Sequence, residues 1–170
     1  MTASTIPTLS LNRRSFHQFV GLMALGANSW AAAPSLPNPS SLADELASAL
    51  QKSMPLMVMV SLEGCPFCKV VREHYLLPLM REEHVPIVQI NMRDPQVLLD
   101  FERKSQTQAS LITRWNVSVA PTVLFFGRHG AEVAERLVGG SIPDYYGAYL
   151  DDRLKLARAA VRASLTGAAG

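Results

Sequence analysis

The sequence predicts an α/β domain in which helices cover both faces of a central mixed β-sheet. Residues 55–62 are a continuous apolar run of strand length, which is typical of a strand buried on both faces, and residues 86–92 are a second run predicted to form a buried strand. A helical stretch separates the two runs, so they form a βαβ unit whose crossover is expected to be right-handed. Later in the chain, a Gly-bounded turn at residues 127–130 joins two more strand-like segments, and so short a connection favours an antiparallel hairpin.

The first half of the domain is predicted from caps and apolar spacing. Ser41 precedes apolar residues at helical spacing with acids in the first turn, which predicts a helix of about ten residues. The first strand then leads into a long helix from about Cys65 to Glu83. Pro78 lies inside that helix and is expected to kink it, or to end it and begin another.

The second half is predicted in the same way. Asp94 is an N-cap residue and Pro95 follows at the first helical position, so a helix is expected through about Lys104. The chain at residues 107–115 is a further helical stretch. The remaining predicted elements are strands over residues 122–126 and 131–138, and a final helix that Ser141 caps, that has Pro143 near its start and that ends at about Ala163.

One domain accounts for most of the chain. A length of 170 residues suits a single domain with a hydrophobic core, and we place it at residues 41–163. Residues 32–40 are expected to form an extended, Pro-rich linker, because three closely spaced prolines disfavour both helix and sheet. Residues 164–170 are mostly small and are expected to form a flexible tail.

Charge and cysteine content exclude several functional classes. The formal net charge is +2, and both excess positive charges come from Arg13 and Arg14, because residues 1–31 contain no acidic residue. The rest of the chain is neutral, so neither nucleic acid nor an anionic membrane surface is expected as the main partner. The chain has 2 cysteines, Cys65 and Cys68, which excludes a scaffold of several disulfides.

Residues 1–31 have the organisation of an export signal. A polar start with Arg13 and Arg14 precedes a short apolar run, and small residues lead to an expected cleavage site after Ala31. The apolar run is far below the ~20 residues that span a bilayer, so stable membrane insertion is not expected. The Arg-Arg-Ser-Phe segment resembles a twin-arginine motif, with an ordinary Sec signal and an uncleaved tether as alternatives. The predicted location is the bacterial periplasm.

The two cysteines lie at the predicted junction of a buried strand and a helix. Unpaired backbone N–H groups and the helix dipole favour negative charge there, so Cys65 is expected to ionise more easily and to act as the nucleophile. Cys68, almost one turn later, can attack a mixed disulfide at Cys65. Pro66 is tolerated because the helix start leaves that N–H position without a partner anyway. This spacing supports thiol–disulfide exchange with no metal and no organic cofactor.

At these residues the sequence resembles the thioredoxin superfamily. Residues 117–126, which include Ala-Pro-Thr at 120–122, resemble the family's proline segment and the strand that follows it. Residues 136–139 resemble the family's closing hairpin and its glycine. The resemblance covers roughly residues 42–156, and it implies a thioredoxin fold and thiol–disulfide oxidoreductase activity.

The resemblance also implies a substrate-binding site. Pro121 is expected to be cis and to lie beside the cysteine sulfurs, although cis bonds are about 5–6% of X-Pro bonds in folded proteins. Ala120 is expected to offer its backbone to an extended substrate segment, in a short form of strand addition. Together with Pro66 and Phe67, these are the candidate substrate-binding residues.

The sequence departs from thioredoxin proper around the cysteines. Pro-Phe stands between them where Gly-Pro is usual, Gly64 replaces an aromatic residue, and Met59 replaces a buried acid. Without that acid, proton removal from Cys68 must use water or another group, and Glu63 is the nearest candidate in sequence. The Pro-aromatic pair is more similar to those of glutaredoxins and some Dsb-type periplasmic proteins.

A permanent disulfide and a metal site are the alternative interpretations of the cysteine pair. A bridge that closes so small a loop restricts the unfolded chain little, which disfavours a structural role. A metal site lacks a second cysteine pair, and none of the 4 histidines lies at zinc-finger spacing. Met54, Met57 and Met59 suggest Cu(I) binding, but Met57 and Met59 are expected to be core residues of the strand.

The sequence therefore predicts an exported thiol–disulfide oxidoreductase that acts on protein or small-molecule disulfides, with the reductive direction favoured. Since the chain has no further cysteines, a partner must recharge the pair, and a membrane thiol–disulfide carrier is the expected one. The alternative is a thioredoxin-fold binding module that holds Cu(I) or Zn through the cysteines.

Overall fold

The structure, a computed structural model, describes residues 35–140 and 143–167 of the chain. The strands are β1 Leu56–Ser61, β2 Ile87–Asn91, β3 Val97–Leu99, β4 Ser105–Thr107, β5 Thr122–Phe126 and β6 Glu132–Val138. The helices are α1 Leu42–Gln51, α2 Pro66–Val71, α3 Leu77–Glu82, α4 Gln108–Arg114 and α5 Pro143–Thr166.

Four strands form a mixed sheet in the order β2-β1-β5-β6. β1 and β2 are parallel, with Val58 opposite Val88. The helical crossover between them returns the chain to the end of the sheet at which β1 begins, so both strands run in the same direction. β5 pairs antiparallel with β1, with Leu124 opposite Val58, and β6 pairs antiparallel with β5. The predicted βαβ unit and the predicted hairpin are both confirmed.

Alternate side chains of the sheet pack into two separate apolar layers. Every residue of β1 is buried. Met57 and Met59 lie in the layer that α2, α3 and α5 cover, whereas Val58 and Val60 lie in the layer that α1 and α4 cover. Because successive strand residues point to opposite faces, this arrangement favours apolar residues on both faces, as the sequence has from Leu56 to Val60. The predicted thioredoxin fold, with helices on both faces, is confirmed.

α2 and α3 form one continuous helix that contains a wider turn. Residues Arg72–Leu76 form a π-turn, in which the N–H of Leu77 donates to the carbonyl of Arg72. Pro78 follows directly. Its ring has no N–H and clashes with the preceding turn of a regular α-helix, so the wider turn accommodates it. Pro78 thus interrupts the regular helix as predicted, and the chain remains helical to Glu82.

Residues 94–104 do not form the predicted helix. β3 and β4 form an antiparallel pair instead, in which Leu98 lies opposite Gln106. The Asp94 side chain accepts a hydrogen bond from the N–H of Gln96 at 2.8 Å, which begins a turn rather than a helix. Leu98 is buried while its two neighbours in the strand are more exposed, which is the alternation of a strand.

A buried carboxylate stabilises the turn between β3 and β4. Asp100 is 1% exposed, and it accepts hydrogen bonds from the backbone N–H groups of Glu102 and Lys104, both at 2.9 Å. Its second oxygen accepts bonds from Gln106 and, at 2.8 Å, from Arg114. Burial disfavours the charged carboxylate, yet these donors hold the pKa of Asp100 below its ordinary value. Such bonds from a side chain to the backbone compete with helix formation. The prediction of a helix over residues 94–104 is therefore wrong.

Residues 35–40 lie against the domain. Leu36 is buried in the core layer that α2 and α5 cover. A β2 amide donates to the carbonyl of Pro37 at 2.8 Å, and a β3 amide donates to the carbonyl of Ser40 at 2.9 Å. This part of the predicted linker is therefore part of the packed structure. Residues 1–34, with the predicted export signal, lie outside the described residues.

The first and last helices differ in how closely the sequence predicts their ends. Ser41 caps α1 as expected, since its Oγ accepts the N–H of Asp44 at 3.2 Å. α5 continues to Thr166, so the start of the predicted tail is helical. The predicted cap Ser141 and residues 168–170 lie outside the described residues. Among the helices of the described part of the chain, none is both long and apolar enough to cross a membrane.

Candidate active site

Cys65 and Cys68 lie where β1 leads into α2. β1 ends at Ser61, and Gly64 turns the chain with a φ of +72°, a conformation that favours glycine. Cys65 is then the N-cap residue of α2, with Pro66 at the first helical position. Cys65 is partly exposed and Cys68 is buried. The prediction that the first cysteine begins the helix is confirmed.

The sulfur of Cys65 has a backbone partner on each side. The N–H of Cys68 donates to Cys65 Sγ at 3.1 Å. A donor of this kind stabilises negative charge on the sulfur, so the bond is stronger when Cys65 is a thiolate. The Cys65 S–H group, a weak donor, lies 3.8 Å from the carbonyl oxygen of Ala120. Cys65 thus contacts both the second cysteine and the segment that precedes β5.

The segment before β5 brings the predicted binding residues to the cysteines. The Ala120–Pro121 peptide bond is cis, as the resemblance implies. Pro121 is buried, and Ala120 packs against the core layer that contains Cys68. The fold therefore places Ala120 and Pro121 beside residues that lie far away in the sequence.

Apolar side chains next to these residues are exposed. Phe67, in the first turn of α2, is 51% exposed, and Val119, directly before Ala120, is 45% exposed. Pro66 is exposed as well. An exposed apolar surface at a reactive sulfur suits contact with a second molecule. The sequence analysis named Pro66 and Phe67 for this role and missed Val119.

Gly140 is a second residue that the sequence analysis missed. The preceding Gly139 has a φ of +82° and donates its N–H to the carbonyl of Pro121 at 2.7 Å. At Gly140, a Cβ atom would lie 3.1 Å from Val71 Cγ2 and 3.3 Å from Pro121 Cγ. The absence of a side chain at Gly140 therefore lets the end of β6 pack closely against α2 and Pro121. The double glycine after β6 is the sequence signal that points to it.

Cys68 lies in surroundings that keep its thiol protonated. Burial raises the pKa of Cys68 to about 11, and a hydrogen bond between the Cys68 and Cys65 side chains raises it as well. The backbone N–H of Leu62 and the hydroxyl of Ser61 act in the opposite direction, because they donate to the Cys68 sulfur. Ser61 is 2% exposed. The sequence analysis missed it, although a polar residue at the end of an otherwise apolar strand was the available signal.

A cavity of about 1000 Å³ opens beside Cys65, and we call it the β2 cavity. Residues at the ends of β1 and β2, the start of α2 and the loop after β2 line it. Glu63 is exposed and lines this cavity, whereas the polar groups that donate to the Cys68 sulfur are Ser61 and Leu62. Met59, at the position of the family's buried acid, lies in the apolar core. Glu63, the predicted proton acceptor, therefore lies on the solvent side of the site.

The candidate soft-metal ligands lie in different environments. Met57 and Met59 are fully buried in the core, as the alternative to a copper site predicts. His74, His84 and His129 are exposed. Across residues 35–140 and 143–167, no three His, Cys, Asp or Glu side chains come close enough together to hold a metal ion.

The family model of a thioredoxin-like domain matches residues 42–154, which is well over half of the chain. No curated protein matches the chain. The similar solved structures include several thioredoxins. Thioredoxin f2 from Chlamydomonas reinhardtii is 19% identical, with 68% of this chain and 95% of that chain covered and a TM-score of 0.46.

Two bacterial structures are also similar to this chain. Trxlp from Edwardsiella tarda EIB202 is 26% identical, with 69% of this chain and 96% of that chain covered and a TM-score of 0.45. The periplasmic thioredoxin SoxS from Paracoccus pantotrophus, in its reduced form, is 19% identical. In that case 61% of this chain and 98% of that chain are covered, with a TM-score of 0.41.

Proposed function

Since the chain belongs to the thioredoxin-like domain family, we propose that it is a thiol–disulfide oxidoreductase that acts through Cys65 and Cys68. The observation that carries this proposal is the asymmetry of the two sulfurs. Cys65 is partly exposed and accepts the Cys68 N–H at 3.1 Å, whereas Cys68 is buried behind it. The exposed sulfur is thus available to a substrate, and the buried sulfur is available to Cys65.

The proposed reductive cycle has two exchange steps. The Cys65 thiolate attacks one sulfur of a substrate disulfide, and the other substrate sulfur leaves as a thiolate that takes up a proton. Cys68 then loses its proton and attacks Cys65 Sγ, which breaks the mixed disulfide and releases the second substrate thiol. Two electrons pass from the dithiol to the substrate, and the protein ends with a Cys65–Cys68 disulfide.

The residues around the sulfurs have distinct proposed roles. An extended segment of the substrate pairs with the backbone of Ala120, and Pro121, Pro66 and Phe67 form the apolar surface on which it lies. The exposure of Phe67 and the contact of Cys65 with the Ala120 carbonyl support this placement.

Proton removal from Cys68 is the step that most needs help, because burial holds its pKa near 11. Ser61 stabilises the Cys68 thiolate by its hydrogen bond, and Glu63 accepts the proton through water in the β2 cavity. The direct contact of Ser61 with the sulfur supports its part. The exposure of Glu63 beside the same cavity supports its part.

We propose that the pair works in the reductive direction. Strong oxidants of this chemistry owe their potential to a highly stabilised reduced form. In the described part of the chain, the hydrogen bond that stabilises negative charge on Cys65 Sγ comes from one backbone N–H. The test is equilibration of the full domain with glutathione buffers. A potential near −270 mV, about that of thioredoxin, supports a reductant, and one near −120 mV, about that of DsbA, contradicts it.

The proposed place of action is the bacterial periplasm, with a membrane thiol–disulfide carrier that returns the pair to the dithiol. This proposal rests on the sequence pattern of residues 1–31. The test compares the full chain with a variant in which Arg13 and Arg14 are both replaced by Lys. Export of the natural chain alone supports the twin-arginine route, export of both supports the Sec route, and export of neither contradicts the location.

The activity itself is tested with two single substitutions. Cys65→Ser is expected to abolish disulfide exchange, and Cys68→Ser is expected to accumulate a mixed disulfide between substrate and Cys65, visible as an added mass. Failure of the purified natural protein to exchange any disulfide would contradict the proposal. Stoichiometric Cu(I) or Zn binding that either substitution removes, without disulfide turnover, would support the metal-handling alternative instead.

A further inference from the structure

The β2 cavity has a concentration of positive side chains next to the reactive sulfur. Lys69 and Arg72 line it from the helix that begins at Cys65, and Arg93 lines it from the loop after β2. Cys65 lies on the wall of the same cavity. When a substrate reacts at Cys65, any part of it that lies in the β2 cavity is therefore close to these three positive charges.

These three cations have no carboxylate partner among the described residues. Elsewhere in the same part of the chain, six lysine or arginine side chains form ion pairs, at Arg103, Lys104, Arg114, Arg136, Arg153 and Arg158. Arg72 donates through Nη1 to Gln89 Oε1 at 2.8 Å, which fixes the guanidinium and leaves its other N–H groups for a second acceptor.

Two acids, Glu63 and Asp94, also line the β2 cavity, and among the described residues neither forms an ion pair with these cations. Asp94 accepts the N–H of Gln96 at 2.8 Å, so its carboxylate already has a backbone partner. Glu63 is exposed and forms no ion pair within 4.0 Å among the described residues. Three cations against two acids give the lining of the cavity a formal net charge of +1, and the described residues offer the cations no carboxylate partner within 4.0 Å.

We propose that the β2 cavity binds a carboxylate of the substrate, so that the protein prefers disulfides with a carboxylate near the reacting sulfur. The proposal rests on the proposed function and names its substrate class. Exchange proceeds by the same two steps, and the carboxylate is not consumed. Two kinds of substrate would supply such a carboxylate. One is a small carboxylated disulfide, and the other is a protein with an acidic residue beside a disulfide.

The first test measures the charge preference of Cys65 without any turnover. Iodoacetate and iodoacetamide alkylate the same thiolate and have nearly the same shape, but iodoacetate is an anion. The ratio of their rate constants at Cys65, with the site of alkylation identified by mass spectrometry, is compared with the ratio for the urea-unfolded chain. At low salt, we expect the ratio of the iodoacetate to the iodoacetamide rate constant to be about threefold to tenfold higher for the folded protein than for the unfolded chain.

Three variants assign that preference to the β2 cavity. Replacement of Lys69 and Arg93 by Gln is expected to remove most of it, because both are exposed charges on the cavity wall. Glu63→Gln is expected to increase it. Lys52→Gln is the matched control, because Lys52 is an exposed lysine before the opposite end of β1. An unchanged ratio in the Lys69→Gln/Arg93→Gln variant, or equal ratios for folded and unfolded chains, would overturn the proposal.

The second test uses disulfides and separates this proposal from the proposed function. The reduced protein is offered dithiodipropionate, an anion, and the neutral hydroxyethyl disulfide. A higher kcat/KM for the anion, which the Lys69→Gln/Arg93→Gln variant loses, supports a carboxylate site. Equal values for both overturn the carboxylate site but leave the proposed function intact. If the protein reduces neither disulfide, the proposed function is contradicted. The alkylation ratio still decides the charge preference in that case.

A pair of disulfide-linked peptides distinguishes the two sources of the carboxylate. The peptides differ in Asp or Asn beside each cysteine. A preference for the Asp peptide that exceeds the preference for dithiodipropionate assigns the site to protein substrates. The reverse order assigns it to small carboxylated disulfides.

Discussion

The backbone nitrogen of Cys68 lies 3.1 Å from the sulfur of Cys65. This hydrogen bond joins the side chain of the partly exposed cysteine to the backbone of the buried one. A separate interaction, between the two cysteine side chains, adds to the effect of burial in raising the pKa of Cys68. The buried thiol of Cys68 is therefore protonated at neutral pH, and the partly exposed sulfur of Cys65 is the one that a substrate can reach.

The pKa of Cys68, raised to about 11, predicts the pH dependence of the second step. Burial is the main cause and persists in the mixed disulfide, so Cys68 is a neutral thiol at pH 7. Its reactive thiolate fraction should grow about tenfold per pH unit between pH 6 and pH 8. Stopped-flow release of thionitrobenzoate from a mixed disulfide at Cys65 measures this rate. A rate that does not change with pH would show that Cys68 is already ionised.

Ser61→Ala is expected to slow the same step by several-fold. The hydroxyl of Ser61 lowers the pKa of Cys68, so its loss should shift the rise of the rate to higher pH. A merely structural role would reduce stability without moving the pH profile, so both are measured. Ser48→Ala, at an exposed position of α1, is the control and should change neither. An unshifted profile for Ser61→Ala would exclude a positioning role.

Gly140→Ala is expected to reduce the exchange rate, because its Cβ would lie 3.1 Å from Val71 and 3.3 Å from Pro121. Contacts this close force α2 or Pro121 to move by a few tenths of an ångström. Gly147→Ala in α5 is the comparison, since its Cβ meets Tyr75 at an ordinary 3.4 Å. That change should stabilise the helix by about 0.5–1 kcal/mol. Exchange kinetics and urea unfolding separate the two effects, and full activity of Gly140→Ala would show that the segment relaxes freely.

Asp100→Asn is expected to destabilise the domain by about 2–4 kcal/mol, because it removes a buried charge with several donors. Glu102→Gln is the control, since its exposed ion pair with Lys104 should contribute little to stability. Urea unfolding measures both. A small effect of Asp100→Asn would mean that an amide oxygen satisfies the same donors.

Asp100 also predicts a loss of stability in acid. The folded pKa of Asp100 is lowered, so the unfolded chain binds its proton first as the pH falls. Its contribution is therefore present above the unfolded value of about 3.9 and is lost as the pH falls towards the folded value. The natural protein should lose more stability below pH 4 than Asp100→Asn does. Parallel curves for the two proteins would contradict this assignment.

Local signals predicted those parts of the chain whose structure depends on near neighbours. Ser41 caps α1 through a hydrogen bond to a residue three positions away. Thr107 caps α4 in the same way, within the stretch that the sequence predicts as helical. The apolar run at β1 is buried at every position, as its composition requires. In each case the interaction that decides the structure lies within one turn or one strand.

Local signals failed where distant partners decide the structure. Asp94 and Pro95 have the pattern of a helix start, but the region forms β3 and β4 because Asp100 is bonded to Arg114 and because Leu98 enters the core. The amide of Gln108 likewise bonds to Asn38, 70 positions away in the chain. Asn38 and the core partners of Leu98 lie outside any window of neighbouring residues, whereas the bonds of Asp100 to Glu102 and Lys104 lie within one and were outweighed in the prediction by the pattern of a helix start.

The sequence by itself determined the identity of the reactive groups and the elements that present them. It placed Cys65 at a helix start, Cys68 one turn later and Pro121 before a strand, because strand length, capping and apolar spacing are local properties. Only the tertiary structure decided the surroundings of these groups. The burial that keeps Cys68 protonated, the approach of Ser61 and Gly140, and the convergence of Lys69, Arg72 and Arg93 on one cavity all depend on how separate elements pack. A change in desolvation or charge at a sulfur comes from atoms near in space, whatever their distance along the chain.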